Sequence, residues 1–114
     1  MATTPSEEAS QGSMRSDIQN DLGKLNPKLA ALTTDVLYAD MWERPQLSKR
    51  DRSLITVAAL ISKSHPEELR IHLRFARKNG LTADELVEAI THLAFYAGWP
   101  NAVSATRILE EVFA

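Results

Sequence analysis

The chain has 114 residues, 44% of them hydrophobic and 25% charged, which is ordinary for a single soluble globular domain. Thirteen Lys and Arg residues against fifteen Asp and Glu residues leave a net charge of −2, so we expect no nucleic-acid or membrane partner. The absence of cysteine excludes disulfides, thiolate metal sites and thiol catalysis, and the lack of a bilayer-length apolar run or a secretory signal predicts a cytoplasmic protein.

The first thirteen residues contain no large apolar side chain except Met1. Such a segment buries too little apolar surface to offset the entropy lost on ordering. We therefore predict a disordered tail over residues 1–20 and one folded domain over residues 21–114.

The first predicted helix begins at Asn26 and Pro27, a cap followed by proline at the first helical position. The helix is expected to end near Trp42, because Arg44 precedes Pro45 and is disfavoured in the helical region. Its apolar residues recur at helical spacing: Leu29, Leu32, Val36 and Leu37.

Four more helices follow in the sequence. A capping pattern over residues 48–51 precedes the run LITVAALI at 54–61, which is apolar nearly all round and predicts a buried helix. Pro66 opens the next helix and Gly80 closes it. A second capping box at 82–85 starts a fourth helix, and residues 98–100 (GWP) separate it from the last. The predicted fold is an all-α compact array of about five to six helices with a central helical hairpin, assembled into an oligomer.

The helix from Pro66 places two ionisable residues, Glu68 and His72, inside its apolar arc. They are four residues apart, so their side chains are neighbours. A buried charge is costly unless it is paired, which leaves two interpretations. The pair is either a structural link between helices or part of a functional site.

Arg50 projects near the middle of the apolar face of the preceding helix. A guanidinium there suits bidentate binding of a carboxylate, although it also suits a partner for Glu68 or a surface position. Arg52 points away from that face and is expected to be solvated or to contact another subunit.

Aromatic residues crowd the end of the fourth helix. His92 lies opposite the apolar stripe, and Phe95 and Tyr96 make the helix apolar all round, which predicts that a second subunit covers it. Trp42, Tyr96 and Trp99 are candidate pocket residues, although aromatics at helix ends also serve as core. No His-Glu-x-x-His or comparable spacing occurs, so we expect no metal site.

Three segments resemble the carboxymuconolactone decarboxylase family. They are residues 38–54 (YADMWERP, then LSKRDRSL), residues 67–74 with 79–82 (EELRIHLR, then NGLT) and residues 96–102 (YAGWPNA). The resemblance spans about residues 24–114 in order. It implies an all-helical fold that forms a homo-oligomer, commonly a hexamer built as a trimer of dimers.

The family also contains alkylhydroperoxidase D-like thiol enzymes with a Cys-x-x-Cys-x-x-x-His motif. Here the same spacing reads His65-x-x-Glu68-x-x-x-His72, so thiol peroxidase chemistry is excluded. The resemblance to the decarboxylase branch implies a cofactor-independent decarboxylase of a small carboxylated molecule like γ-carboxymuconolactone, in aromatic catabolism. The reaction that it implies makes His72 the candidate general acid, Glu68 the residue that orients it or shares the proton, and Arg50 the residue that holds a carboxylate. Trp42, Tyr96 and Trp99 are the candidates to line the substrate pocket.

Two other functions remain open from the sequence. One is a cysteine-free paralogue that acts on another small carbonyl acid or lactone. The other is a non-catalytic oligomeric scaffold that binds a ligand.

Overall fold

A computed structural model describes residues 22–114. The predicted tail over residues 1–20 lies outside the described residues. The five α-helices of this part are α1 (Pro27–Leu32), α2 (Lys49–Ser62), α3 (Pro66–Lys78), α4 (Ala83–Ala97) and α5 (Trp99–Phe113). Residues 22–114 contain no strand, which confirms the all-α prediction. They divide into one unit that ends at Lys49 and a second unit, Arg50–Ala114.

The first unit departs from the single long helix that the sequence predicted. The side chain of Asn26 accepts a hydrogen bond from the Leu29 amide at 3.1 Å, as a cap should, but α1 ends at Leu32. A π-helical segment, Thr33–Tyr38, and a short 3₁₀ turn, Met41–Glu43, follow. The Thr33 hydroxyl donates to the Leu29 carbonyl at 2.7 Å, and such back-bonds compete with regular helix geometry.

The first unit buries few of its apolar side chains. Ala30, Tyr38 and Trp42 are buried, and the rings of the last two stack with centroids 5.9 Å apart. Burial raises the pKa of the Tyr38 phenol to about 12. The predicted apolar stripe is instead exposed in the chain: Leu29, Leu32, Val36 and Leu37.

The second unit contains a continuous hydrophobic core, formed by the inward stripes of its four helices. α2 contributes Val57 and Ile61, and its nearly apolar composition reflects this central position. The other core residues come from α3, α4, α5 and one turn: Leu69, Leu73, Ala76, Leu81, Leu86, Ile90, Ala94, Ala102, Ala105, Ile108 and Leu109.

Local signals set the ends of these helices. The Thr82 hydroxyl accepts from the Glu85 amide at 3.1 Å, and Glu85 accepts from the Thr82 amide at 3.1 Å, so the predicted capping box is confirmed. Gly80 and Gly98 have φ near +100°, a conformation that glycine adopts without steric cost, and they separate α3, α4 and α5. Among residues 22–114, no helix is long and apolar enough to cross a membrane.

Candidate active site

A groove of about 510 Å³ lies between α2 and α4; we call it the Arg50 groove. Residues four apart on α2 and residues three or four apart on α4 share a face, which is why these side chains line one cavity. Most of the wall is apolar, and four ionisable groups interrupt it. The lining residues are Arg50, Leu54, Ala58, Leu81, Glu85, Glu88, Ala89, His92 and Leu93.

Arg50 is the cation of this groove, and its side chain is 39% exposed. Its guanidinium forms an ion pair with Glu85 and lies 3.6 Å from the Asp51 carboxylate. One Glu85 oxygen, Oε1, serves the α4 cap, while the other, Oε2, faces the guanidinium. The sequence left open a pairing of Arg50 with Glu68, and the structure pairs Arg50 with Glu85 instead. Glu85 therefore caps the start of α4 and also pairs with Arg50, the candidate for binding a carboxylate.

His92 lies on the exposed side of α4, as the sequence predicted, and lines the Arg50 groove. Its ring stacks on Tyr96 with centroids 4.9 Å apart and planes 26° apart. Glu88, one turn earlier, also lines the groove. The structure thus brings an imidazole, a guanidinium and two carboxylates into one apolar cavity.

Next to His92 the chain exposes an aromatic patch formed by Phe95, Tyr96 and Trp99. Their exposed fractions are 77%, 80% and 62%, and the Phe95 and Trp99 rings meet edge to face at 5.8 Å. Two of the predicted pocket residues, Tyr96 and Trp99, therefore lie on an open surface of the described chain. Tyr96 is next to the groove through its stack on His92.

Glu68, His72 and Phe75 share the other candidate surface, which we call the His72 face of α3. His72 is half-buried, and its ring meets Phe75 edge to face at 6.3 Å. Burial lowers the pKa of His72 from its ordinary 6.5, and the Glu68 carboxylate opposes this effect more weakly. Glu68 was expected to face the core, but it is exposed. Neither Glu68 nor His72 belongs to the residues that line the Arg50 groove.

A buried hydrogen bond ties α2 to the end of α3. Asn79 Nδ2 donates to the hydroxyl of Ser53 at 2.9 Å, and Ser53 is almost fully buried. Arg52 is also buried, so the expectation of a solvated side chain was wrong. Helical geometry explains the difference between neighbours: Arg50 and Arg52 lie about 200° apart around α2, so only one of them can face the groove.

Trp42, the remaining predicted pocket residue, lies in the first unit, buried and stacked on Tyr38.

The groove residues that the sequence interpretation missed are Glu85 and Glu88. A usable signal was present, because Glu85, Glu88 and His92 follow each other at spacings of three and four on one helix. No group of three or more His, Asp or Glu side chains within residues 22–114 is arranged to hold a metal ion.

Comparisons with a family model and with known proteins agree on one family. Residues 27–111 match the model of the carboxymuconolactone decarboxylase family. The chain is 39% identical over 93 residues to 4-carboxymuconolactone decarboxylase of Acinetobacter baylyi, covering 82% of this chain and 69% of that protein. It is 35% identical over 80 residues to nitrosuccinic acid decarboxylase of Metarhizium robertsii, covering 70% of this chain and 56% of that protein. The chain thus spans just over half the length of the second relative.

Proposed function

The chain belongs to the carboxymuconolactone decarboxylase family, and on that premise we propose that it is a carboxy-lyase that removes CO₂ from a small carboxylic acid. The names of both relatives support this reaction class. The observation that carries the proposal is the Arg50 groove, where a guanidinium and an imidazole, together with the carboxylates of Glu85 and Glu88, interrupt an apolar wall.

The proposed substrate is a lactone acid like γ-carboxymuconolactone. Loss of CO₂ from the γ-carbon of such a lactone leaves an electron pair that delocalises onto the lactone carbonyl. The substrate therefore supplies its own electron sink, and the protein has to bind the acid, stabilise the developing charge and deliver one proton to carbon. These tasks need only side chains of the kinds present in the groove.

Arg50 is proposed to bind a carboxylate of the substrate. Its planar guanidinium is suited to bidentate contact with a carboxylate. The substrate has to compete with Glu85 for this contact, because Glu85 pairs with Arg50 in the chain as described. Leu54, Ala58 and Leu93 line the groove, so a bound acid would displace water from this apolar wall, and the loss of water strengthens the attraction between the two charges.

The apolar wall also favours the reaction itself. The substrate starts with a localised carboxylate charge, and the transition state spreads that charge over a neutral CO₂ and a delocalised dienolate. An apolar surface penalises the localised charge more than the spread one. The groove therefore assists the loss of CO₂ when the departing carboxylate lies against the apolar wall and Arg50 holds another acidic group of the substrate.

For the proton, the family resemblance favours the Glu68–His72 pair, with His72 as the acid and Glu68 beside it. The Glu68 carboxylate raises the pKa of the imidazole, but burial lowers it by more. Trp42, Tyr96 and Trp99 remain proposed substrate-binding residues, and among these Tyr96 has the support of its stack on the groove residue His92.

We also propose that the protein is a homo-oligomer, with a hexamer as the expected form. Support comes from the aromatic patch and from the exposed apolar residues of the first unit, such as Leu29 and Leu32. The cytoplasmic location remains a prediction from the sequence. Sedimentation of the purified protein as a monomer of 12.7 kDa at micromolar concentration would contradict the oligomer.

Incubation with two acids tests the proposed function. The purified protein is mixed separately with γ-carboxymuconolactone and with nitrosuccinic acid, and release of CO₂ and loss of ultraviolet absorbance are followed. We expect multiple turnovers on the lactone. Turnover of nitrosuccinic acid alone would make the chain a paralogue with another substrate. Binding without CO₂ release from either acid would favour a ligand-binding scaffold and overturn the proposal.

A further inference from the structure

Resting on the proposed function, we propose that His92 is the acid that protonates the dienolate after CO₂ has left a substrate held at Arg50. His92 lines the same groove as Arg50, whereas His72 does not. The sequence motif directed attention to His72, and no motif singles out His92.

The geometry of α4 carries the first part of the inference. Glu85, Glu88 and His92 are one turn apart, so their side chains share the face that looks across the groove to Arg50 on α2. A substrate that places its carboxylate on Arg50 therefore has its carbon skeleton against the side chains of this α4 face. Tyr96 stacks flat on the imidazole, which limits the orientations open to the ring.

The charged residues around His92 also bear on its role as the proton donor. Arg50, Glu85, Glu88 and His92 are its ionisable residues, so two carboxylates face one guanidinium. His92 therefore lies in a groove that contains more acidic than basic side chains. Glu88 is four residues before His92, the spacing at which opposite charges attract along a helix. The imidazole that faces an Arg50-bound substrate therefore has a carboxylate one turn away on the same helix.

The His72 face has the opposite character. Burial disfavours the imidazolium there, and this effect exceeds the attraction of the exposed Glu68 carboxylate. A histidine that acts as a general acid donates its proton from the imidazolium form. His92 lines the groove in which Arg50 is proposed to bind the substrate, whereas His72 lies outside it, where burial disfavours the charged imidazole.

The proposed step balances. The bond between the γ-carbon and its carboxylate carbon breaks, CO₂ departs, and the electron pair stays with the lactone as a dienolate. His92 gives its proton to a carbon of that dienolate and becomes neutral. It regains a proton from water before the next turnover. The net change is consumption of one proton and release of one CO₂ for each substrate molecule.

The test compares three histidine variants with γ-carboxymuconolactone as the probe. His92→Gln keeps a side chain of similar size that cannot exchange a proton, and we expect kcat to fall about 10²- to 10⁴-fold, the usual contribution of general acid catalysis. KM should change little, because Arg50 still binds the carboxylate. His65→Gln is the matched control, since His65 is exposed and lies outside the groove.

The pH profile of kcat separates a proton donor from a merely structural residue. The wild-type kcat should fall as the pH rises and the imidazolium loses its proton, and the profile of the residual activity of His92→Gln should lack this fall. The profile of His65→Gln should follow the wild type. If His72→Gln removes the pH-dependent fall and His92→Gln retains it, the proton comes from α3 and the inference is wrong.

The two proposals fail in different ways. A wild-type protein that releases no CO₂ from the lactone refutes the proposed function and, with it, the role of His92. A wild-type protein that is active, with His92→Gln within threefold of its kcat, refutes the role of His92 alone. Circular dichroism and melting of each variant confirm folding, which the exposed position of His92 favours.

Discussion

The Arg50 groove and the His72 face each contain a histidine and a glutamate one turn apart, yet their surroundings differ. In the groove, His92 is exposed, lies against Tyr96, and shares a cavity with a guanidinium and two carboxylates. On α3, His72 is half-buried beside Phe75, and Glu68 points to solvent. The groove combines charged side chains with an apolar wall, as the proposed binding of an acid and transfer of a proton require. The α3 face instead has the features of a packed surface.

The difference shows why a sequence motif and a site need not coincide. A Glu-x-x-x-His spacing places two side chains together on one helix wherever it occurs. The role of such a pair depends on its surroundings: Arg50 lines the groove with His92, whereas the imidazole of His72 is half-buried beside Phe75. Substitutions in each surface separate the two experimentally.

The largest effect on substrate binding is expected at Arg50. Arg50→Ala removes the cation of the groove, and we expect KM for a carboxylated substrate to rise about 10- to 100-fold, the equivalent of the ~1.5–3 kcal/mol that a hydrogen bond to a charged group contributes. Steady-state kinetics measures this. Arg74→Ala is the control, because Arg74 lies on α3, outside the groove. An unchanged KM in Arg50→Ala would remove the groove from substrate binding.

A smaller effect on stability is expected from Ser53, which belongs to the packed contact between α2 and the end of α3. Ser53→Ala deletes the buried bond with Asn79, and the free energy of unfolding should fall by about 1 kcal/mol. Denaturant unfolding measures this, and kcat should stay at the wild-type value. Thr91→Ala, which deletes an exposed hydroxyl bond on α4, should change stability by less than about 0.5 kcal/mol. Loss of kcat in Ser53→Ala would show that this region takes part in catalysis.

The His72 face should also affect how the free energy of unfolding depends on pH. Burial lowers the pKa of His72 in the folded chain below the value of about 6.5 that the unfolded chain has. Below pH 6.5 the unfolded state therefore binds the extra proton, and the free energy of unfolding falls as the pH falls towards the folded-state pKa. Denaturant unfolding of wild type and His72→Gln at several pH values measures the contribution. His72→Gln should flatten this part of the profile; two parallel profiles would contradict the assignment.

The smallest effect concerns Glu85, which competes with substrate for Arg50. Glu85→Gln keeps a side chain suited to the capping box but removes the charge. We expect KM to fall about two- to fivefold, in line with the ~0.5–1 kcal/mol of a partly exposed ion pair. The melting temperature should change little. A rise in KM would mean that Glu85 holds Arg50 in its binding position instead of competing for it.

The sequence predicted the features that depend on neighbours along the chain. The capping box at Thr82, the helix start at Pro66 and the turn at Gly80 each arise from a few adjacent residues, and all three are present. The exposed position of His92 also agreed with its place opposite the apolar stripe of α4. Local capping and helical periodicity were therefore enough for the all-α class and for most helix boundaries.

Features that depend on contacts between helices could not be predicted in this way. The partner of Arg50 is Glu85 on another helix, and nothing near Arg50 in the sequence identifies it. Glu68 falls inside the apolar arc of α3, yet its side chain is exposed in the structure. A helical wheel gives the direction of a side chain, whereas its burial depends on which helix packs there.

The most direct test of the central claim observes both histidines while an acid binds. The probe is a saturated γ-lactone that carries a γ-carboxylate, which cannot lose CO₂ because it lacks the conjugated double bond. The imidazole resonances of His72 and His92 are assigned by substitution and followed by NMR during the titration. We predict that the His92 signals shift with saturation, that the His72 signals do not, and that Arg50→Ala abolishes the shift. Saturable shifts confined to His72 would contradict the account and return the site to the α3 face.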